Sequence, residues 1–478
     1  MSGEVADQAC QHLLRDDGQE DVLLATCTIS TGAGRTTMLI HTLVHPEHGD
    51  RTVHGNASFS GRYILRAAAQ AAQHGHGLVM MHSHPDGWGW QALSRTDHDT
   101  EHETARIAFE YTGLALTGMT LAGDGTWSAR LWPHTSTRPR WAETVRVVGP
   151  KLEVSFNERL RPPPPPSESE ARRIAAWGPK TQADIARMRV LVVGVGSVGL
   201  DVALRLAAAG IINIGVMDPD VVEKINLDRM VGATRADARR RRPKVDVAVR
   251  EMLRAATAEH PQFERFPINV CTKEGFHRAL DYDVIICCVD RPWPRAVLNS
   301  VAYADLIPVI DGGLAIQTFD DGTMRSGSWR AHTLVPQRPC LLCSGQLNPT
   351  DLQLDLQGKL DDPAYIEQSG RQPIAGLPNV ALYSASVSAA LLAQFASVTA
   401  HPGREGVPYP LRYQLAVHTL DRPSTVSGAH CPYEGQTAAG DRRIALAPAP
   451  SQAGQLLRYA RISRSIAASL RAVADWLA

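Results

Sequence analysis

The chain has 478 residues, and a length of this order predicts two or three domains rather than a single hydrophobic core. Its 49 basic and 49 acidic residues balance, so the net charge indicates neither a nucleic-acid partner nor a membrane surface. The sequence has no uninterrupted apolar run of about 18 residues and no basic region leading into an apolar one at its start. We therefore expect a cytoplasmic protein without a membrane span.

The first 158 residues have the pattern of a small α+β domain. The apolar runs "DVLLATCTIS", "TTMLIHTLV" and "GLVMMHS" predict strands, and "GRYILRAAAQAAQ" predicts a helix between them. The segment 159–170 contains five consecutive prolines, which neither continue a helix nor pair in a sheet, and it predicts a stiff linker. We place a first domain at 1–158, the linker at 159–170 and a second domain at 171–478.

The stretch "HSHPDGWGWQALSRTD" closes the last of these strands. His82 and His84 stand two residues apart, a spacing that points both side chains of a strand to the same face. Two imidazoles and one carboxylate leave a tetrahedral zinc ion one position for water, and Asp97 is the candidate third ligand. Ser94 is a candidate hydroxyl for stabilising an oxyanion. The alternative is a histidine-rich surface turn, since the chain has 18 histidines.

The residues "HSHP" and "SRTD" resemble the JAB/JAMM metalloprotease motif of deubiquitinating enzymes, over roughly residues 1–140. The resemblance implies that His82, His84 and Asp97 bind a catalytic Zn²⁺ and that Ser94 assists the oxyanion. One difference is the segment "PDGWGWQAL", about two residues longer than the family's usual form.

The same family carries a catalytic glutamate just before an apolar strand. Glu20, in "GQEDVLLATC", is the best match to that residue. Glu4 and Glu47 are weaker matches.

The second domain opens with strand, glycine-rich turn, helix and strand, in "RVLVVGVG", "SVGLDVALRLAAAG" and "INIGVMD". This order predicts an α/β fold with a doubly wound, largely parallel sheet. Gly194, Gly196 and Gly199 form the pattern G-x-G-x-x-G, in which glycine permits close approach of the backbone to a phosphate at a helix N-terminus. Alone, the pattern is typical of a dinucleotide site.

Polar residues farther along the chain favour ATP instead. A dehydrogenase needs one acidic residue for the ribose, whereas a site that binds ATP and Mg²⁺ and expels pyrophosphate also needs cations to offset phosphate charge. The sequence supplies both kinds after successive predicted strands: Asp218, Asp220, Asn226, Arg229, Lys244 and Asp290.

This order of residues resembles the ThiF/MoeB-type enzymes that activate ubiquitin-like proteins, over about residues 171–445. The resemblance implies a Rossmann-like adenylation domain in which Asp218 or Asp220 contacts the ribose. It further implies that Asn226, Arg229 and Lys244 contact the phosphates, and Asp290 would hold Mg²⁺.

The helix predicted from "RRIAAWGPKTQADIARMRV" resembles the family's arginine-containing helix before the first strand. In that family the arginine reaches the phosphates of a neighbouring subunit, which implies a homodimer. Arg172 aligns best with it, and Arg173 is the alternative.

Eight cysteines are too sparse for a disulfide scaffold in so long a chain. Cys340 and Cys343, in "RPCLLCSG", resemble the first half of the ThiF-type structural zinc site, which needs four ligands. The second half reads "AHCPYEG", with Cys431 in place and Glu434 where a cysteine belongs. The fourth ligand is then Glu434 or His430, or the site is degenerate.

Taken together, the two resemblances imply one enzyme that processes and activates a ubiquitin-like protein. The first domain would cleave after the partner's C-terminus, and the second would adenylate it with ATP and Mg²⁺. No spare exposed cysteine is evident, so we expect transfer to a thiol on another protein, such as a conjugating enzyme. Such fusions resemble bacterial ubiquitin-like modification systems, some linked to phage defence.

The alternatives are activation of a sulfur-carrier protein ending in Gly-Gly, or a non-catalytic scaffold that binds ubiquitin-like proteins. An NAD-dependent oxidoreductase is a further alternative. The C-terminal stretch "QLLRYARISRSIAASLRAVADWLA" predicts a final helix, and "QLNPTDLQLDLQGKLDDPAYIEQSGRQP" predicts a long loop.

Overall fold

The computed structural model of the chain describes residues 1–54, 56–370, 378–423, 426–428 and 430–444. The final helix that the sequence predicts lies outside the described residues.

The N-terminal part is an α+β unit built on a six-stranded sheet of order β2-β1-β5-β6-β7-β8. The strands of this N-terminal part, inside and outside that sheet, are β1 (Val22–Thr31), β2 (Thr36–Val44), β3 (Arg51–His54), β4 (Asn56–Phe59), β5 (Gly77–His84), β6 (Leu116–Ala122), β7 (Trp127–Trp132), β8 (Arg140–Trp141), β9 (Thr144–Val148) and β10 (Leu152–Phe156). Its helices are α1 (Gly3–Leu13), α2 (Gly61–His74) and α3 (Arg95–Thr112). Both faces of the sheet are covered, by α1 on one side and by α2 and α3 on the other.

The five prolines at 162–166 belong to no helix or strand. A 3-10 helix at Glu168–Glu170 and the short helices α4 (Ala171–Trp177) and α5 (Pro179–Ala186) follow them. Proline occupies the first turn of α5, where its missing N–H would have no partner in any helix.

The C-terminal part is built on an eight-stranded sheet of order β13-β12-β11-β14-β15-β16-β17-β18. Its strands are β11 (Arg189–Val193), β12 (Asn213–Met217), β13 (Gln262–Phe266), β14 (Val284–Cys287), β15 (Val309–Thr318), β16 (Met324–Leu334), β17 (Leu411–Gln414) and β18 (Thr419–Asp421). The strands β11 to β15 are parallel, and their order is that of a doubly wound, Rossmann-like sheet. The mixed α/β fold predicted from the sequence is confirmed.

Helices cover both faces of this second sheet. They are α6 (Ser197–Ala208), α7 (Arg235–Arg239), α8 (Lys244–Ala255), α9 (Lys273–Ala279), α10 (Pro292–Ala304), α11 (Pro349–Leu356), α12 (Pro363–Ser369) and α13 (Ala381–Ala400). The side chains of α6, α8 and α13 share one core, and those of α10 lie in the core on the opposite face.

Three helices depart from the sequence predictions. The segment expected to be a long loop contains α11 and α12, each with proline at its N-terminus and a side-chain cap from Asn348 or Asp362. Helix α13 has the length and composition of a membrane span, although no such segment was predicted. Its residues Val387, Leu391 and Val398 are buried in the core against β15 and β16, so it packs as a core helix.

The two parts meet around a buried carboxylate, Asp283. Arg35 donates a hydrogen bond of 2.7 Å to it, and Arg146 and Arg161 lie 3.6 and 3.7 Å from its oxygens. Burial alone would raise the pKa of Asp283, but these guanidinium groups outweigh burial and hold the pKa well below its usual range. The carboxylate is therefore ionised and joins the N-terminal sheet, the linker and the second sheet.

We predict that Asp283→Ala lowers the free energy of unfolding by about 3–5 kcal/mol, because it leaves several buried guanidinium groups without a counter-ion. Urea denaturation followed by tryptophan fluorescence measures this change. The control is Asp320→Ala, at an exposed turn residue, with an expected change within about 0.5 kcal/mol. Equal stability of the two variants would contradict the prediction.

Candidate functional site

Strand pairing brings the candidate metal ligands to one edge of the first sheet. His82, at the end of β5, is paired with Val22 at the start of β1. The N–H of Ser83 donates to the carbonyl oxygen of Asp21, which continues this antiparallel register by one residue, and the N–H of Asp21 donates to the Ser83 hydroxyl. Glu20 therefore lies opposite His84, on the face that also carries His82.

Three side chains converge at this edge with the spacing of a zinc site. His82 Nε2 lies 3.2 Å from His84 Nε2, and Asp97 Oδ2 lies 3.8 and 3.6 Å from these two nitrogens. Donor atoms bound to a tetrahedral zinc ion at about 2.0–2.2 Å stand roughly 3.3–3.6 Å apart. The residues fit a zinc ion with little rearrangement.

The Ser-x-x-Asp spacing has a structural basis that the sequence interpretation missed. Ser94 is the N-cap of α3, and its hydroxyl oxygen accepts a hydrogen bond of 3.1 Å from the N–H of Asp97. In return Asp97 Oδ2 accepts a bond of 3.0 Å from the N–H of Ser94. This capping box aims the carboxylate at the histidines.

The surroundings of the two imidazoles shift their pKa values in opposite directions: the hydrogen bond with Asp97 raises the pKa of His84, whereas His82 is held neutral. Burial, with a contribution from the charge of Arg130, lowers the pKa of His82 to about 3. His84 Nδ1 lies 3.2 Å from the amide oxygen of Gln91, which accepts a hydrogen bond from an N–H at Nδ1 and so directs Nε2 towards a metal. Neither Arg130 nor Gln91 was predicted, because only the folded chain brings them to the histidines.

A buried acid lies behind His82. Glu101 Oε1 stands 3.9 Å from His82 Nδ1. Its other oxygen accepts bonds of 2.8 Å from Arg130 and 2.6 Å from Trp132. Arg130 and Trp132 thus fix the position of Glu101 against the His82 ring, as residues that surround the ligands of metal sites orient those ligands.

The three candidate glutamates occupy different places. Glu20 is half-buried, and its pKa is raised by burial and by the charge of Asp97, while His84 acts in the opposite direction. Glu47 is exposed and pairs with Arg66 at 3.6 Å. Glu4 lies elsewhere: burial and the charge of Glu4 raise the pKa of Glu434, a residue near the cysteines. Of the three, only Glu20 is brought to the histidines.

The glycine-rich turn between β11 and α6 is shaped by backbone contacts. Gly194 has a φ of 84°, and a Cβ atom on Gly199 would lie 1.8 Å from the carbonyl oxygen of Gly194. A Cβ on Gly196, the N-cap of α6, would meet no protein atom within 4 Å. The first and third glycines are therefore required by the fold, and the second opens the helix N-terminus to a phosphate.

The acidic and basic residues predicted for ATP gather at the same edge. Asp218 is buried, and its two oxygens accept bonds of 2.8 Å from the N–H groups of Val195 and Asp220. Asp218 thus supports the glycine turn, whereas the exposed Asp220 is bonded by Lys244 Nζ at 3.0 Å. Burial would lower the pKa of Lys244, but Asp218, Asp220 and Asp290 outweigh burial and raise it.

Asn226 and Arg229 lie in the turn after β12. The amide oxygen of Asn226 accepts from the N–H of Glu223 at 2.9 Å, and Arg229 donates to Ile225 O and to Asp228. Both side chains are partly exposed.

Of the two arginines before β11, Arg173 is engaged within the chain. It donates 2.8 Å to the carbonyl of Ala208 and lies 3.4 Å from Glu170. Arg172 is exposed on α4 and makes no hydrogen bond or ion pair with the described residues.

Three thiols converge at the far end of the second sheet. The sulfur atoms of Cys340, Cys343 and Cys431 lie within 4.8 Å of one another, and the pair Cys340–Cys431 is 3.5 Å apart. Neither Glu434 nor His430 belongs to this group in the described chain. Glu434 Oε1 instead accepts a bond of 3.1 Å from the N–H of Gln337, and its Oε2 is buried without a hydrogen-bond partner among the described residues, so the fourth ligand stays a prediction.

A further polar contact at the nucleotide turn was not predicted. Ser197, the first residue of α6, accepts hydrogen bonds from Asn379 at 3.2 Å and from Ser384 at 3.0 Å. Both lie about 180 residues farther along the chain, so no local pattern connects them to the turn.

Comparison with known proteins assigns part of the chain. Residues 169–400 match the ThiF family. The "Adenylyltransferase and sulfurtransferase uba4" of Aspergillus clavatus is 32% identical over 166 residues, which are 34% of this chain and 32% of that protein. The "SAMP-activating enzyme E1" of Haloferax volcanii is 32% identical over 168 residues, covering 35% of this chain and 56% of that protein.

The chain thus spans between a third and a little over half of these relatives' lengths. A solved structure of E. coli MccB with ATP has a TM-score of 0.43 and 17% identity, and the match covers 56% of this chain and 74% of that one. The ThiF-type prediction from the sequence is confirmed at the level of the domain: residues 169–400 form a domain of the ThiF family.

Proposed function

We propose that the C-terminal part of the chain uses ATP to adenylate the C-terminal carboxylate of a small ubiquitin-like or sulfur-carrier protein. The observation that carries the proposal is the glycine turn of a ThiF-family domain, with Asp220, Lys244 and Asp290 gathered beside it. The names of the relatives, a SAMP-activating enzyme and an adenylyltransferase, support the same activity.

In the proposed step a carboxylate oxygen of the partner attacks the α-phosphorus of ATP. The bond from this phosphorus to the bridging oxygen of the β-phosphate breaks, and pyrophosphate leaves with Mg²⁺. Gly196 admits the phosphates to the N-terminus of α6. The positive charges of Lys244 and Arg229 offset the negative charge of the phosphates, and Asn226 binds a phosphate oxygen. Asp290 would hold the Mg²⁺.

Transfer of the activated carboxyl group to a thiol on another protein fits the cysteines of this chain. Burial raises the pKa of Cys10 and Cys27 to about 11, and it also raises the pKa of Cys271, Cys287 and Cys288. A nucleophilic thiol needs exposure and a depressed pKa. The remaining three cysteines lie in the thiol cluster, a candidate structural Zn²⁺ site.

Arg172 belongs to the proposed adenylation site of a second copy of the chain. Its exposure on α4, beside an Arg173 that is engaged within the chain, supports this role. The proposal therefore includes a homodimer in which each copy contributes one arginine to its partner.

A second activity is favoured by the geometry of His82, His84 and Asp97, whose donor atoms have the spacing of a zinc site. Zinc bound there would supply a water molecule of lowered pKa. Glu20, with its raised pKa, can hold and return the proton of that water, and Ser94 can donate to an oxyanion. We propose JAB/JAMM-type hydrolysis of the bond after the partner's C-terminus.

The two activities should separate by mutation. We predict that His82→Ala lowers the bound zinc by about one ion per chain and abolishes cleavage of a C-terminally extended ubiquitin-like protein, while ATP–pyrophosphate exchange with that protein persists. Asp290→Ala should abolish exchange and keep the zinc and the cleavage. Zinc is measured by plasma mass spectrometry. Loss of both activities in either variant would contradict two independent sites.

The glycine turn gives a sharper test of nucleotide binding. We predict that Gly196→Ala unfolds near the wild-type temperature but weakens binding of a fluorescent ATP analogue at least about tenfold, because its Cβ occupies the phosphate approach. Gly199→Ala should lower the unfolding temperature as well, because its Cβ overlaps the Gly194 carbonyl. Unchanged nucleotide affinity in Gly196→Ala would contradict this account.

A further inference from the structure

A buried ion pair lies at the carboxyl edge of the second sheet, beyond the residues already assigned. Asp311, on β15, is fully buried and accepts bonds of 3.0 and 2.6 Å from Nε and Nη2 of Arg295. A planar guanidinium and a carboxylate joined in this way neutralise each other. Arg295 is therefore the complete counter-ion of Asp311.

A second guanidinium faces the same carboxylate. Arg330 Nε lies 3.6 Å from Asp311 Oδ1, a distance too long for a hydrogen bond. The Arg330 Nε atom is buried without a hydrogen-bond partner, and Asp311 is the carboxylate that Arg330 contacts among the described residues. One carboxylate thus faces two arginines, which leaves one positive charge uncompensated.

The pKa of Arg330 agrees with an excess of one positive charge over the single carboxylate. Burial, together with the neighbouring charge of Arg295, lowers the pKa of Arg330 to about 10, against the attraction of Asp311. Its side chain is nevertheless 29% exposed, so an anion from outside the chain can reach it. A partly buried cation without a counter-ion stabilises any anion that approaches it.

Strand register places Arg330 near the proposed adenylation site. Asp311 is paired with Cys287, and Cys287 stands three residues before Asp290 in the sequence. Gly313 lies two residues beyond Asp311 and is paired with Arg330. A Cβ on Gly313 would stand 3.1 Å from Nη2 of Arg330, so the glycine gives the guanidinium room to lie over the strand.

The other basic residues of this edge have acidic partners among the described residues. Lys244 is bonded to Asp220, Arg229 to Asp228, Arg291 to Asp355 and Asp361, and Arg295 to Asp311. Arg330 instead shares its carboxylate, Asp311, with Arg295.

We propose that Arg330 is the receptor for the C-terminal carboxylate of the partner protein, which it binds before that carboxylate attacks ATP. This assignment rests on the proposed adenylation activity, in which two anions, the carboxylate and the triphosphate, must meet. Arg330 shares one carboxylate with Arg295, and the net positive charge that remains offsets the repulsion between the two anions on the carboxylate side. Lys244 and Arg229 do so on the phosphate side.

The test is direct binding of a labelled peptide ending in two glycines, as the free acid and as the C-terminal amide, to the full chain without ATP. We expect wild type to bind the free acid at least about tenfold more tightly than the amide, the value of a charge-assisted contact. Arg330→Gln should remove this preference, and Arg330→Lys should keep part of it. The matched control is Arg325→Gln on the same strand, whose guanidinium lies over Phe319.

The affinity of a fluorescent ATP analogue should stay within about twofold of wild type in Arg330→Gln. A weakened nucleotide affinity would overturn the assignment, because Arg330 would then bind phosphate. It would also be overturned if wild type bound acid and amide equally, or if Arg330→Gln kept the preference. Selective acid binding without any ATP–pyrophosphate exchange would instead refute adenylation and leave the carboxylate receptor in place.

Discussion

The structure depends on the compensation of one buried carboxylate, Asp283. Removing a carboxylate from water costs several kcal/mol unless partners restore its interactions, and here the partners come from separate parts of the chain: Arg35, Arg146 and Arg161. A second buried acid, Asp305, repeats the arrangement with Ser30 and Arg443. These contacts hold the first sheet against the second. Glu20 precedes one end of β1, and the other end of β1 lies at the junction between the two parts of the chain.

The two candidate sites depend on the same balance of buried charge. At each of them, charges or lone pairs are not fully compensated by the described residues. At the first, two imidazoles and the Asp97 carboxylate face a common point, an arrangement that a divalent cation stabilises. At the second, Lys244 is already matched by Asp220, whereas Arg330 shares a carboxylate that Arg295 has satisfied. The first site is suited to a metal ion and the second to anions.

The sequence predicted the parts of these sites that depend on local spacing. The i, i+2 histidines on a strand, the glycines of the nucleotide turn and the parallel order of its strands all follow from short-range geometry. Glu20 was already the best match in the sequence, whereas its position opposite His84 follows from the register of β1 against β5, which no local pattern contains. Gln91, Glu101 and Asn379 were missed for the same reason, and Ser94 was assigned only a chemical role although it also caps α3. The expected loop after Cys343 was wrong because Asn348 and Asp362 cap helices there.

The most direct test of the account is a crystal structure of the full chain grown with zinc, Mg²⁺ and a non-hydrolysable ATP analogue, with an anomalous map at the zinc edge. We expect a zinc peak about 2.0–2.2 Å from His82 Nε2, His84 Nε2 and Asp97 Oδ2. We also expect that the triphosphate lies separately over Gly196. A map without zinc at those three atoms, or with the nucleotide bound away from Gly196, would contradict it.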